Sequence, residues 1–194
     1  MITKSLSCLS PNTEHSCLIA LDTEFTSFKC PQLWSIGLYA SEDCWFYGQI
    51  DIKRAHGEYL LKESSEFVKT EVLGQFELIK GSSFESPALL GKALGRWFLD
   101  DFKLLKKKPA CVIFDSNHDL DLLKNLWKAS GFDFGDYIVY KNVVDLTANF
   151  KSDQAMEKMK TESFLIEKFK LKPHHALLDA HCLKEGYLAN FEKN

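Results

Sequence analysis

No stretch of the 194-residue sequence approaches the roughly 18 to 20 uninterrupted apolar residues that a membrane-spanning helix needs. The opening MITKSLSCLSPNTEHS has no apolar run that could act as a signal peptide, so the expectation is a soluble, cytoplasmic protein. Paired cysteines are missing too. Cys8, Cys17, Cys30, Cys44, Cys111 and Cys182 form no CxxC, and Cys17 and Cys111 sit in apolar runs where a thiol packs as a small hydrophobe. Neither a disulfide framework nor a structural zinc site is expected. Nor is there an excess of positive charge. The 24 Lys+Arg against 27 Asp+Glu give −3, which excludes a protein that holds nucleic acid by charge alone. It does not exclude an enzyme acting on nucleic acid, because bound cations can supply positive charge at the one place that needs it. Repeats, low-complexity tracts and Pro/Ser/Gly-rich linkers are absent, so residues 1–194 read as one domain.

What is present reads as an α/β chain. CLIALDTE (17–24) is an apolar run that ends in polar residues, the pattern of a buried strand whose carboxyl end emerges at a surface. QLWSIGLYA (32–40) and CWFYGQI (44–50), separated by SED, read as a hairpin, so the chain opens with an antiparallel meander. Residues 51–85 are polar and helix-leaning, with FVKTEVLGQFELI their most periodic piece, and are expected to be an insertion. Ser86-Pro87 is an N-cap and first-turn pair for a core-facing helix through Leu89, Leu90, Ala93, Leu94, Trp97 and Phe98. ACVIFD (110–115) reads as a strand, followed by a second amphipathic helix that Gly131 ends. DYIVY (136–140) reads as a further strand, and from about Val143 the chain is helical apart from a break at Lys172 and Pro173. The expected architecture is a mixed sheet, meander plus parallel strands, flanked by helices.

Three places carry acidic residues that a purely structural account explains poorly. Asp22 and Glu24 in LIALDTEF are two apart on a strand, so both side chains point to one face and repel each other unless a hard cation lies between them. Chance alone yields roughly one D-x-E in a sequence this acidic, so the pair needs company. In HHALLDAHCL, His174 lies five residues before Asp179, an imidazole on a loop beside a carboxylate on the first turns of a helix. IFDSNHDLDLL offers Asp115, Asp119 and Asp121 at a strand-to-helix passage, where the helix dipole also favours an acid.

In this order, LDTEF, an Asp entering a helix about a hundred residues later, and H-x4-D-A near the end resemble the three motifs of the DEDD superfamily of 3′-to-5′ exonucleases, in its histidine-bearing DEDDh subgroup. The resemblance runs from about Leu18 to Tyr187. Asp22-Thr23-Glu24-Phe25 is similar to the family's D-x-E, and His174 to Ala180 to its H-x-A-x-x-D-A. WSIG (34–37) looks like the second strand of that fold, and FVKTEVL (67–73) is similar to a segment of the small bacterial exoribonuclease-like branch. The middle motif departs from the family form. If Asp119 is its acid, Asp115 and His118 stand where the family has Asn and an aromatic, while Leu122 and Leu123 match the apolar positions that follow. Asp121 has Asn117 four residues before it and stays open as the alternate.

The resemblance implies a ribonuclease H-like fold and hydrolysis of single-stranded nucleic acid to nucleoside 5′-monophosphates, with RNA favoured by the branch. It implies two divalent cations, Mg²⁺ or Mn²⁺, held by Asp22, Glu24, Asp119 and Asp179, stabilising the negative charge that develops at the phosphate. His174 would accept the proton of the attacking water. His175 has the wrong spacing to Asp179. Phe25 and Thr26 would contact the terminal nucleotide, although Phe25 reads equally well as core. Many relatives are homodimers, which leaves a homodimer as an expectation. Lys103 with Lys106, Lys107 and Lys108, and the lysines at 151, 158, 160, 168, 170 and 172, are the stretches able to steer a phosphate backbone, the second reading better as a solvated helix face. Met156 and Met159 read only as packing. A DNA exonuclease, a hydrolase of short oligonucleotides and a catalytically silent nucleic-acid-binding module are the competing readings.

Overall fold

The computed structural model describes residues 18–104, 109–143, 158 and 162–191. Lys106, Lys107, Lys108, Lys151 and Lys160, together with Met156, Met159 and Cys17, lie outside the described residues. Among the described residues six strands form one mixed sheet: β1 (Leu18–Phe25), β2 (Leu33–Ser41), β3 (Cys44–Ile50), β4 (Ser83–Phe84), β5 (Ala110–Phe114) and β6 (Ile138–Asn142), in the order β4-β3-β2-β1-β5-β6. β1, β2 and β3 make the antiparallel meander, whereas β5 lies parallel to β1 and β6 parallel to β5. The helices are α1 (Ala55–Glu63), α2 (Pro87–Asp100), α3 (Asn117–Ser130), α4 (Phe164–Phe169) and α5 (Ala176–Phe191). The protein is therefore α/β, a mixed sheet flanked by helices.

The period-2 alternation of a strand sorts the core into two layers. Ile19 and Leu21 of β1 face one side, with Trp34, Ile36 and Leu38 of β2, and pack with Leu90, Leu94 and Phe98 of α2 and Leu123 and Leu126 of α3. Leu18 and Ala20 face the other side, where Leu177, Leu178 and Leu183 of α5 cover them. Local chemistry fixes the helix ends. Ser86 Oγ accepts from Leu89 N (3.4 Å) ahead of Pro87, and Gly131 ends α3 at φ 77°, a left-handed position suited to glycine.

Three expectations shift. FVKTEVLGQFELI forms no α-helix: a π-helical turn at Val68–Val72 passes into a 3₁₀ turn at Leu73–Gln75, after which Phe76 is extended. Alternating β-branched residues and Gly74 deprive it of α-helical support. Asp136 and Tyr137 belong to a turn, with Tyr137 N donating to Phe134 O (2.9 Å), so β6 begins only where Ile138 pairs with Ala110. The break before the last helix is also longer than Lys172 and Pro173. It runs from Lys170, which caps α4 in the left-handed conformation (φ 60°), to His175.

Candidate functional site

Asp22 and Glu24 sit at the carboxyl end of β1, on the face that α5 covers, opposite Gly37 and Ser35 of β2. A Cβ at Gly37 would come within 2.4 Å of the backbone of Ala176 and Leu177. The absent side chain lets the first turn of α5 press onto β2 and carries Asp179, on that turn, to the two β1 carboxylates. Thr23, between the two acids, points to the other face and reaches α3. Its N and Oγ1 both donate to Asp119 Oδ1 (3.1 and 2.6 Å), while Ser116 N donates to Asp119 Oδ2 (3.2 Å). Asp119 is buried, the third residue of α3 behind the N-cap Ser116.

Among the described residues, two groups have possible ligand atoms all within 4.8 Å of one another: Glu24 with His174 and Asp179, and Asp22 with Asp115 and Asp119. The structure thus brings together Asp22, Glu24, Asp119, Asp179 and His174, from β1, α3, α5 and the loop before α5. Asp121 is exposed and belongs to neither group. Asp115, at the end of β5, is exposed and joins the second.

Burial is the largest influence on the acids, and their neighbours add to it. Asp22 is pushed well above the usual carboxylate range by burial and then by Asp119, Asp179, Glu24 and Asp115. Burial, Asp179 and Asp119 push Glu24 up to about 8. Burial lifts Asp119 to about 7, against the opposing pull of the Thr23 hydroxyl and the backbone donors. Asp115, although its side chain reaches the surface, is also raised, chiefly by the protein that surrounds it. Carboxylates placed this way stay protonated or need a cation among them. The donors are hard oxygens with one imidazole at hand, which fits Mg²⁺ or Mn²⁺. Asp119 uses three of its roughly four acceptor positions within the protein, leaving about one for a cation.

His174 is exposed, with a left-handed backbone (φ 65°), and its N donates to Asp179 Oδ2 (2.9 Å). His175 differs. It is buried and stacked on Tyr47 (centroids 4.3 Å apart), and burial pulls it down to about 4, so it is neutral at pH 7. Phe25 is half-buried, packs partly against the core, and meets Phe28 and His118 at 5.2 and 5.4 Å between centroids. Phe28 is 80% exposed, and Phe67, 51% exposed, stands edge-on to His174 at 4.9 Å. The Thr26 side chain is not among the exposed groups here. It is fully buried, its hydroxyl donating to Cys30 O (3.1 Å) and accepting from Gln32 N (3.2 Å) to close its own loop.

Sequence reasoning passed over Phe28, Phe67 and Gln75. Phe28 stands just past the D-x-E motif, a position that could have drawn notice. The other two lie in FVKTEVLGQFELI, whose helix-like spacing does not mark them as site residues. No helix among the described residues is long and apolar enough to cross a membrane. Compared with models of known protein families and with curated proteins, the sequence matches none.

Proposed function

We propose that the chain is a ribonuclease H-like, metal-dependent 3′-to-5′ exonuclease of the DEDDh type, releasing nucleoside 5′-monophosphates from single-stranded nucleic acid. One observation carries the reading: four carboxylates and a histidine, from elements up to about 150 residues apart, meet at one end of the sheet in the order the motifs require. The antiparallel β1–β3 meander continued by parallel β5 and β6 supports the fold assignment. RNA is the favoured substrate, on the resemblance of Phe67 to Leu73 to the exoribonuclease-like branch.

Asp22, Glu24, Asp119 and Asp179 would hold Mg²⁺ or Mn²⁺, which supply positive charge against the charge developing on a phosphodiester. His174 lies within 4.8 Å of the Glu24 and Asp179 carboxylates and, being exposed, can take a proton from an attacking water. Asp179 accepts from the His174 amide and so ties the base to the acids. The exposed rings of Phe28, beside Phe25 and His118, and of Phe67, beside His174, offer faces on which bases can stack whatever their identity.

The test uses matched 5′-labelled RNA and DNA single strands with Mn²⁺ or EDTA, alongside His174→Ala. The expected result is a ladder shortening from the 3′ end, lost with EDTA and with the substitution, and faster on RNA. No ladder on either strand overturns the exonuclease. Cleavage confined to oligomers of a few nucleotides would favour the short-oligonucleotide hydrolase.

A further inference from the structure

A buried primary amide brings two donor hydrogens and two lone pairs that all need partners. Gln75 is such a group, buried at the end of the irregular turns that follow α1. Every partner it has is backbone. Its two Nε2 hydrogens are shared among Pro173 O (2.8 Å), His174 O (3.2 Å) and Glu71 O (3.2 Å), while Oε1 accepts from Lys172 N (2.8 Å). Backbone groups have fixed polarity, so the amide orientation is determined. Turned over, its oxygen would face carbonyls and its NH₂ an amide hydrogen.

Three of those bonds fall on consecutive residues nearly a hundred positions away, the loop between α4 and α5. Lys172, Pro173 and His174 are all exposed, so little apolar packing holds them. His174 has φ 65°, a conformation that a residue with a Cβ keeps only when its surroundings impose it. It is gripped on both sides, its N donating to Asp179 Oδ2 and its O accepting from Gln75. Phe67, eight residues before Gln75, sets its ring edge-on to the imidazole. We infer that Gln75 is a positioning residue for His174, clamping residues 172–174 from the 51–85 segment so that the imidazole stays in reach of Glu24 and Asp179. The inference rests on the proposed role of His174 as proton acceptor. It makes the 51–85 segment part of the catalytic apparatus rather than a decoration of the sheet edge, with its influence on turnover rather than on substrate affinity.

Gln75→Met keeps the side-chain length and removes all four bonds. Without substrate, amide hydrogen exchange at Lys172 and His174 should quicken at least about tenfold, because both amides lose the frame that orders them. With substrate, kcat should fall about 10- to 100-fold, with KM and calorimetric Mn²⁺ affinity within about twofold of wild type. In a His174→Ala background, Gln75→Met should have no further effect on kcat. Gln75→Glu at pH 8 keeps the acceptor and deletes both donors, and should behave like Gln75→Met. Unchanged exchange at both amides overturns the clamp, whatever the activity. Faster exchange with an equal kcat loss in the wild-type and His174→Ala backgrounds overturns positioning in favour of a merely structural role. A His174→Ala protein with unimpaired kcat overturns instead the proposed base, and the kinetic part of the inference falls with it while the exchange result still judges the clamp.

Discussion

Thr23 and Asp119, 96 residues apart, meet through two hydrogen bonds to one oxygen, Thr23 N and Oγ1 both donating to Asp119 Oδ1. The contact joins the carboxyl end of β1 to the first turn of α3. Asp22 and Glu24 flank Thr23 and point to the other face, so the residue between the two β1 acids fixes the position of the third. The middle of the D-x-E motif thus has a physical task of its own.

Thr23→Val keeps the shape of the side chain and the backbone donor but deletes the hydroxyl. Hydrogen bonds to charged groups contribute about 1.5–3 kcal/mol, and Asp119 would keep only its backbone donors. The expected cost is a melting temperature lower by about 3–12 °C at pH 8, since each kcal/mol shifts a domain of this size by about 2–4 °C. Thermal denaturation by circular dichroism checks it. A wild-type melting temperature would mean that the hydroxyl is dispensable.

The raised carboxyls set the pH dependence. Glu24 at about 8 and Asp119 at about 7 lie above their ordinary 4.5 and 3.8, so in that window the folded protein binds more protons at these groups than the unfolded chain. Their contribution to stability therefore falls as pH rises through the window. Glu24→Gln removes one such charge and should raise the melting temperature in EDTA at pH 8 by about 2–8 °C, with no gain at pH 4. Millimolar Mn²⁺ should stabilise the wild type at pH 8 far more than at pH 5, and Glu24→Gln should lose much of that increment. Equal Mn²⁺ increments at both pH values would show that these carboxylates do not take up the cation.

Much of this arrangement was legible in the sequence because it is written locally. The meander, the Ser86 and Gly131 helix ends and the shared face of Asp22 and Glu24 each follow from a few neighbouring residues. Asp119 and Asp121 lie in the first turns of one helix, where only the apolar Leu122 and Leu123 after Asp119 favoured it locally, and burial against β1 separates the two outright. The burial of the Thr26 side chain was hidden for a related reason: its hydroxyl is engaged by Cys30 and Gln32 in a loop that no periodicity describes. Gln75 was invisible, because its partners are backbone groups on the far side of the sequence.

Gly37 offers a steric test of how α5 delivers Asp179. Adding a methyl group there drives it into the backbone of Ala176 and Leu177, and backbone cannot rotate away as a side chain could. Gly37→Ala should lower stability by about 1–3 kcal/mol and weaken Mn²⁺ binding at least about tenfold, read by calorimetry on the folded fraction. Gly74→Ala, where an added Cβ meets nothing within 4 Å, is the control and should bind Mn²⁺ normally. If Gly37→Ala bound the cation like the control, close seating of α5 would not be what assembles the acids.

Asp119 and Asp121 give the sharpest comparison within one helix turn. Asp121 is exposed and outside both acidic groups, so Asp121→Asn changes only surface charge and should leave the proposed nuclease activity within about threefold and stability within about 0.5 kcal/mol. Asp119→Asn keeps most of the shape but puts an amide where Thr23 and Ser116 aim three donors, and it removes a charge from the Asp22 group. Activity should fall by at least about 100-fold, since lost charge stabilisation at a reacting centre commonly costs that much. Stability has two opposing contributions, the mismatch with the donors and the relief of crowded negative charge. Its change should therefore shift in the stabilising direction as pH rises from 5 to 8, when the charge that Asn lacks would have formed. Steady-state rates with Mn²⁺ and melting curves at the two pH values check both parts. Equal, mild losses of activity in the two variants would remove Asp119 from the metal-binding set.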